Sequence, residues 1–213
     1  MQRHEIINFL SNNDSTIYLE IGVDWGETFK QVNIKNKTGV DPAFKVDPLT
    51  LPGKCYTMYS DDFFDQNIQK YDIIFIDGLH TYQQSHRDLL NSIKFLNHNG
   101  VIIIDDCFPA DEIAAISDVN ASLKAREEAG QKGNMTWMGD VYKTVIWLND
   151  NTDWSYAYIA ENHNIAVAWP EKKSRERIAA DDEDIENFSF DRFLRTKFPV
   201  LPIKEIRRRA KRG

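Results

Sequence analysis

The alternation of apolar and polar positions along the chain predicts short strands separated by helices. An apolar run, Ile17 to Ile21, ends at a glycine turn, and a helix is predicted to begin near Glu27. The clearest strand signal is Asp72 to Ile76, because an uninterrupted apolar core is typical of a strand covered on both faces. Further strands are predicted at 37–41, 55–59 and 101–104.

Helices are predicted between these strands. Residues 82–96 carry apolar side chains at helical spacing and end at the cap signal Asn99-Gly100. Ser60 or Asp61 is the predicted N-cap of a shorter helix. Because strands alternate with helices over the first half of the chain, the pattern implies right-handed βαβ units and a parallel sheet.

The second half of the chain has a weaker pattern. A helix is predicted around 111–129, whereas 141–148 fits a helix or a strand equally well. Two strands at 154–160 and 164–169, joined by a tight turn, would add an antiparallel hairpin to the sheet.

These elements predict one α/β domain over residues 1–170 and a C-terminal extension over 171–213. The segment 108–138 is expected to be an insertion that covers the substrate. The extension is expected to be poorly ordered apart from an amphipathic helix near 190–198, and its basic end at 207–213 is expected to be dispensable for folding.

Composition narrows the class of protein. The chain has 213 residues, 42% of them hydrophobic, which is enough to bury a substantial core, and its net charge of −7 argues against general nucleic-acid binding. No apolar run approaches the ~20 residues of a membrane span, and the first residues lack the order of a signal peptide. Cys55 and Cys107 suit a reducing compartment, so a cytoplasmic protein is expected.

A glycine-bearing turn, YLEIGVDWGETF at 18–29, follows the first strand. Glu20 lies near the end of that strand, and Gly22 and Gly26 allow the backbone to approach a ligand closely. The ExGxxxG spacing differs from the GxGxxG of dinucleotide sites, so a cofactor site here would lack a pyrophosphate cradle. An ordinary strand-to-helix turn explains the motif equally well.

Asp41 ends the second predicted strand, roughly twenty residues after the glycine turn. A carboxylate at this position can accept hydrogen bonds from both ribose hydroxyls of an adenosine. The spacing favours this role over that of a surface aspartate.

Three carboxylates, on Asp77, Asp105 and Asp106, follow two buried strands. If the strands are neighbours, the carboxylates converge, and their repulsion is costly without a cation. An all-oxygen ligand set suits Mg²⁺, with Mn²⁺ or Ca²⁺ as substitutes. For any one aspartate alone, an N-cap or turn role is the simpler explanation.

His80 lies three residues after Asp77 in the same predicted loop. Its ordinary proton affinity suits a general base near neutral pH. We therefore predict His80 and Asp77 as catalytic residues.

Together these motifs resemble the class I S-adenosylmethionine-dependent methyltransferases, in particular the small O-methyltransferases with FIDGxH after the fourth strand. The similarity covers about residues 15–170 and implies a Rossmann-like sheet, mostly parallel with a C-terminal antiparallel hairpin. The motifs that carry it are YLEIGVDWGETF, GVDP at 39–42, SDDFF at 60–64, FIDGLHTY at 75–82, DDC at 105–107 and GDVYK at 139–143.

The resemblance implies S-adenosylmethionine as the cofactor. Glu20 and Gly22 would line its methionine end, Asp41 would hold its ribose, and Ser60 and Asp61 would lie beside adenine. The remaining expected cofactor contacts are Gly26 and Asp77.

In the metal-dependent branch of this group, the positions of Asp77, Asp105 and Asp106 hold magnesium, and the position of His80 carries the base. The implied reaction is direct displacement, in which a hydroxyl acidified by Mg²⁺ and deprotonated by His80 attacks the methyl group. The expected acceptor is a sugar or another polyhydroxylated small molecule. Many relatives have His-Asp in place of Asp105-Asp106, so the group as a whole does not imply metal dependence.

Two other classes of function remain open. A binding module that has lost catalysis is disfavoured by the intact Asp77, His80, Asp105 and Asp106, and an NAD-dependent oxidoreductase is disfavoured by the glycine spacing. The expected partner is a small molecule, with no nucleic acid and no membrane span, and a homo-oligomer is compatible with the sequence.

Overall fold

A computed structural model of the chain describes residues 1–11 and 15–211. Within this part of the chain, eight strands form one sheet. The strands are β1 Ile17–Ile21, β2 Asn36–Val40, β3 Lys54–Tyr56, β4 Tyr71–Ile76, β5 Leu96–Ile104, β6 Ser155–Ile159, β7 Asn162–Trp169 and β8 Val200–Leu201. Their order across the sheet is β3-β2-β1-β4-β5-β7-β6-β8.

Helices cover both faces of this sheet. A short 3-10 turn at Pro48–Thr50 precedes β3. The α-helices are α1 Arg3–Leu10, α2 Glu27–Gln31, α3 Ser60–Gln66, α4 Tyr82–Phe95, α5 Val119–Glu128, α6 Tyr142–Asn151, α7 Asp182–Glu186, α8 Phe190–Arg195 and α9 Ile203–Ala210.

The predicted α/β fold is confirmed. The strands β3, β2, β1, β4 and β5 are parallel, and β7 and β6 add the expected antiparallel hairpin beside β5. The ambiguous segment at 141–148 is helical, as part of α6.

The two faces of the sheet are packed by alternate residues of the same strands. In β5, Ile102 and Ile104 face one apolar cluster, whereas Val101 and Ile103 face the other. The first cluster contains residues of α4, α6 and α8, and the second contains residues of α1, α2 and α9. This burial on both faces explains why the central strands are continuously apolar.

Two predicted helix boundaries are wrong. The N-cap of α3 is Tyr59, since Ser60 already lies in the helix and its hydroxyl accepts a hydrogen bond from the side chain of Gln84 instead. The helix α4 ends at Phe95, and the signal Asn99-Gly100 belongs to β5. A Cβ at Gly100 would lie 2.9 Å from the carbonyl oxygen of Asp72, so this glycine permits close strand packing and does not cap a helix.

The predicted helix over 111–129 is shorter in the structure. Only α5 is helical there, and it begins after Asp118, whose side chain accepts a hydrogen bond from the backbone N–H of Ala121. The preceding residues form turns, in which the side chain of Asp111 accepts a hydrogen bond from the backbone N–H of Ala114.

The prediction of a poorly ordered C-terminal extension is wrong. The extension contributes α7, α8, β8 and α9, and β8 pairs with β6 to become the edge of the sheet. Helix α9 buries Ile203, Ile206 and Ala210 against the sheet, and its Arg207 packs over the ring of Phe9. The basic segment at 207–213 is therefore not a simple tail, although residues 212 and 213 lie outside the described residues.

No helix within residues 1–11 and 15–211 combines the length and the apolar character that crossing a membrane requires.

We predict that the packing of α9 stabilises the whole domain. Ile206→Ala should lower the free energy of unfolding by about 2–5 kcal/mol, because Ile206 is fully buried. The matched control is Leu194→Ala on α8, where the side chain is exposed and the expected loss is below about 0.5 kcal/mol. Urea denaturation measures both, and equal losses would contradict the docking of α9.

Candidate active site

The site is built by the register of the central sheet. The last residues of β1, β2, β4 and β5 are aligned with one another. Parallel strands present their carboxyl ends at the same edge, so the residues that follow lie in one row, as the sequence predicted. These residues are Gly22, Asp41, Asp77 and Asp105.

Gly22 allows the first and fourth strand ends to meet. Its φ angle is +84°, and a Cβ at this position would overlap the backbone carbonyl group of Asp77. Both features exclude any residue with a side chain. The turn after β1 therefore lies directly against the loop that carries Asp77.

Asp41 holds this turn in place. One carboxylate oxygen accepts hydrogen bonds from the backbone N–H groups of Val23 and Asp24, at 2.9 and 2.8 Å, and the other accepts from the N–H of Ala43 at 2.7 Å. An ionised carboxylate has about four acceptor sites, so one remains for a ligand. Asp41 thus has a structural role that the sequence did not predict, and it also faces the cavity.

Glu20 and Gly26 lie outside the cavity that the described residues line. Glu20 is buried and accepts a hydrogen bond from the hydroxyl of Tyr18 at 2.6 Å, and burial raises its pKa to about 8. Gly26 has a φ angle of +71° at the start of α2, where a Cβ would crowd the side chain of Leu51. The structure therefore gives both residues roles in the packing of the fold.

At the other side of the cavity, α3 and α4 are joined by a polar network. The side-chain amide of Gln84 donates to the hydroxyl of Ser60 at 3.1 Å and to a carboxylate oxygen of Asp88 at 3.2 Å. Burial raises the pKa of Asp88 to about 6. Asp61 points away from the cavity and pairs with Arg87 at 3.2 Å.

The three predicted carboxylates do converge, together with two positively charged groups. The Nε2 atom of His80 lies 3.4 Å from Asp77 and 3.1 Å from Asp106. The guanidinium of Arg3 forms an ion pair with Asp105 through its Nε atom, and it lies 3.9 Å from both Asp77 and Asp106. We call these five residues the acidic cluster.

The charges in the acidic cluster shift one another's proton affinities. Burial raises the pKa of Asp77 and raises that of Asp105 well above its ordinary value. Burial opposes the charged form of His80, but its hydrogen bond to Asp77 and the charges of the three aspartates outweigh that effect and raise its pKa to about 9. His80 is therefore an imidazolium at neutral pH when the cavity is empty.

Arg3 is the charged residue of the acidic cluster that sequence reasoning missed, and Gln84, Asp88 and Asn164 were not predicted either. Arg3 lies at the start of α1, more than seventy residues before Asp77 along the chain, and its side chain is 43% exposed. Nothing in its local sequence distinguishes it from a surface arginine. Only the packing of α1 beside the strand ends brings it to the carboxylates.

The predicted magnesium site does not fit these residues as arranged. Asp77, His80 and Asp106 place one donor atom each within 4.8 Å of one another, but Asp105 is not part of that set. An imidazole replaces the third oxygen, whereas Mg²⁺ prefers oxygen ligands throughout. The guanidinium of Arg3 also stands beside two of the three donors, so the cluster already contains an organic cation.

The loop that carries His80 is held by the GDVYK motif. Gly139 has a φ angle of +61°, and a Cβ there would overlap the carbonyl of His80. The side chain of Asp140 accepts a hydrogen bond from the backbone N–H of Tyr82 at 2.7 Å and pairs with Lys143 at 3.0 Å. Trp137, just before the motif, stacks on the imidazole of His80 with ring centres 5.1 Å apart.

A cavity of about 550 Å³ joins these parts. This volume is typical of small-molecule sites. Arg3, Trp137, Gln84 and Asp88 line it together with five of the residues predicted from the sequence. Those five are Gly22, Asp41, Ser60, Asp77 and His80.

Comparison with known proteins agrees with this architecture. Residues 26–107 match the family model of a methyltransferase domain. No curated protein matches the sequence.

Several solved structures share the fold. An O-methyltransferase from Bacillus cereus in complex with S-adenosylhomocysteine is 12% identical, with a TM-score of 0.53 over 78% of this chain and 76% of that one. The S-adenosylmethionine complex of TomG from Streptomyces achromogenes, an O-methyltransferase involved in tomaymycin synthesis, is 10% identical, with a TM-score of 0.52 over 78% and 76%. The S-adenosylhomocysteine-bound methyltransferase PaMTH1 from Podospora anserina is 14% identical, with a TM-score of 0.51 over 75% and 72%.

At these identities the likeness to solved structures establishes the fold, and the family model covers α2, the four strands β2 to β5 and the acidic pair that follows β5. The strand order is that of the Rossmann-like methyltransferase fold, and residues 26–107 match a methyltransferase domain.

Proposed function

We propose that the protein transfers the methyl group of S-adenosylmethionine to a hydroxyl group of a small molecule, with a sugar or another polyhydroxylated compound as the expected acceptor. The observation that carries this proposal is a cavity lined both by Gly22 and Asp41 and by the loop from Asp77 to His80. Structural neighbours described as O-methyltransferases, crystallised with S-adenosylmethionine or its product, support the same reaction.

The cofactor would lie along the carboxyl ends of β1 and β2. Asp41 has one free acceptor site beside the cavity, where a ribose hydroxyl can donate, and Gly22 leaves room for the methionine end. Adenine would lie towards Ser60, whose hydroxyl belongs to the polar network with Gln84. This arrangement points the sulfonium methyl group towards the acidic cluster.

The acceptor would enter the cavity beside His80 and Trp137. The acceptor oxygen forms a bond to the methyl carbon as the carbon–sulfur bond breaks, which leaves the sulfur neutral and gives S-adenosylhomocysteine and a methyl ether. The acceptor proton passes to the imidazole of His80, and Asp77 and Asp106, which lie beside its Nε2 atom, stabilise the imidazolium that forms. Trp137 covers one face of the imidazole and limits the access of water.

The burial and the charges of the site also favour binding of the positively charged cofactor over binding of its uncharged product. Its positive charge would face Asp77 at the mouth of the cavity, in a partly desolvated place where such an attraction is stronger than in water. The product lacks this charge, so the same carboxylate favours product release.

We predict that Asp41 contributes to cofactor affinity. Asp41→Asn should lower the affinity for S-adenosylhomocysteine by about tenfold or more, since a hydrogen bond to a charged group contributes roughly 1.5–3 kcal/mol. Titration calorimetry measures the affinity, and a melting curve verifies that the turn after β1 remains folded.

The matched control is Asp47→Asn. Asp47 also accepts a hydrogen bond from a backbone N–H, that of Leu49, but it lies outside the cavity. If the two variants bind equally well, Asp41 is not a cofactor ligand. If neither the variants nor the wild type binds the product, the methyltransferase proposal itself fails.

We predict that methyl transfer accelerates with increasing pH. The pKa of His80 is raised to about 9, so its neutral, proton-accepting form is scarce at pH 7 and grows about tenfold per pH unit until it levels above pH 9. Single-turnover transfer from radiolabelled S-adenosylmethionine to a panel of sugars and phenols, between pH 6.5 and 10, measures this dependence.

In the same assay, His80→Gln should abolish the rise and slow the reaction while sparing cofactor affinity. The control His98→Gln alters an exposed histidine near the start of β5, at the opposite end of the strand from Asp105, and should leave the profile unchanged. A flat profile for the wild type would show that His80 is not the proton acceptor. Cofactor binding with no transfer to any acceptor in the panel would favour the binding module that has lost catalysis.

A further inference from the structure

The acidic cluster places three carboxylates in little contact with water. The side chains of Asp105, Asp106 and Asp77 are only 1%, 8% and 16% exposed. Carboxylates gathered in this way repel one another and need a counter-charge within the site. Among the described residues, the cations paired with them are Arg3 and His80.

We infer that Arg3 occupies the place that the family pattern assigns to a divalent metal ion, and that it makes the site independent of metal. Its guanidinium contacts Asp105 directly and lies 3.9 Å from the two other carboxylates, so one group is near all three. A guanidinium stays charged at every pH at which proteins are folded, and its fork of N–H groups suits carboxylates.

The fold holds Arg3 in this position. Helix α1 buries Ile6 and Ile7 in the core beneath the sheet. The helix is also tied by hydrogen bonds at both sides. The side chain of Asn162, in β7, donates to the carbonyl of Met1, and the side chain of Asn8 donates to the carbonyl of Gln31 at the end of α2.

Hydrogen bonding around Asp105 agrees with a site built for an organic cation. Asn164 in β7 donates its side-chain amide to Asp106 at 2.9 Å and to Asp105 at 3.3 Å. Asp105 therefore contacts Arg3 and Asn164. The potential metal-ligand atoms that lie within 4.8 Å of one another belong to Asp77, His80 and Asp106. The carboxylate of Asp105, which would be a further oxygen ligand of a metal ion, is paired with Arg3 and hydrogen-bonded by the side-chain amide of Asn164.

Arg3 supplies different chemistry from a metal ion. It cannot act as a Lewis acid, but its exposed N–H groups at the cavity can donate hydrogen bonds to an acceptor oxygen as negative charge develops there. This part of the inference rests on the proposed function, because it assumes that the methyl acceptor enters this cavity. The expectation that the site binds no metal ion does not depend on that assumption.

The test is calorimetric titration of chelator-treated protein with Mn²⁺ and with Mg²⁺. We expect no binding to the wild type up to about 1 mM, a concentration that corresponds to about 4 kcal/mol of binding free energy. Arg3→Gln should gain affinity for Mn²⁺ by tenfold or more, because it frees Asp105 and leaves His80 as the remaining cation paired with the three carboxylates. Mn²⁺ should also raise the melting temperature of this variant and leave that of the wild type unchanged.

Two further variants sharpen the result. Arg195→Gln removes an arginine from an exposed ion pair with Asp191, so it changes the net charge equally and should not create a metal site. Arg3→Lys keeps the positive charge and should still exclude Mn²⁺, which provides a readout even if Arg3→Gln does not fold. Binding of Mn²⁺ by the wild type as tightly as by Arg3→Gln would overturn the inference.

The titration of S-adenosylhomocysteine into the same samples separates this inference from the proposed function. The wild type should bind the product equally well before and after treatment with chelator. If no sample binds the product, the methyltransferase proposal fails while the metal titrations remain interpretable. If chelator abolishes product binding and Mn²⁺ restores it, the site is metal-dependent and Arg3 is not its cation.

Discussion

The arrangement of this site depends on one constraint, the mutual repulsion of carboxylates that a parallel sheet places side by side. Neighbouring parallel strands end at the same edge, and two of these strands end in aspartates. Their charges are tolerable in a partly buried place only with cations among them. The guanidinium of Arg3 meets that requirement, the amide of Asn164 adds hydrogen bonds, and the raised pKa of His80 is a consequence of the same charges.

Much of the sheet could be predicted because its central strands are apolar on both faces and end abruptly in glycine or aspartate. The same signals predicted that the carboxylates would meet, since the carboxyl ends of parallel strands share an edge. The identity of the counter-charge could not be predicted in this way. A charged residue in the first helix acquires its partner through the packing of distant elements, and local sequence does not encode that packing.

The C-terminal extension shows a second limit of sequence patterns. Helix α9 contains three arginines in succession, and the charge of this run conceals the helical spacing of Ile203, Ile206 and Ala210. The same limit applies to Gly100, which has the local signature of a helix cap but serves the close pairing of two strands. In both cases the missing information is the neighbour against which the residue packs.

The close approach of Gly139 to the carbonyl of His80 divides the long connection between β5 and α6 into two parts with different contacts. From Gly139 onward, the chain is fixed to the loop that carries His80. The residues before it, from Phe108 to Trp137, reach the cavity mainly through the indole of Trp137. Under the proposed function, changes of length in that stretch would alter which acceptors are admitted, while the contact with Gly139 continues to hold the loop of His80.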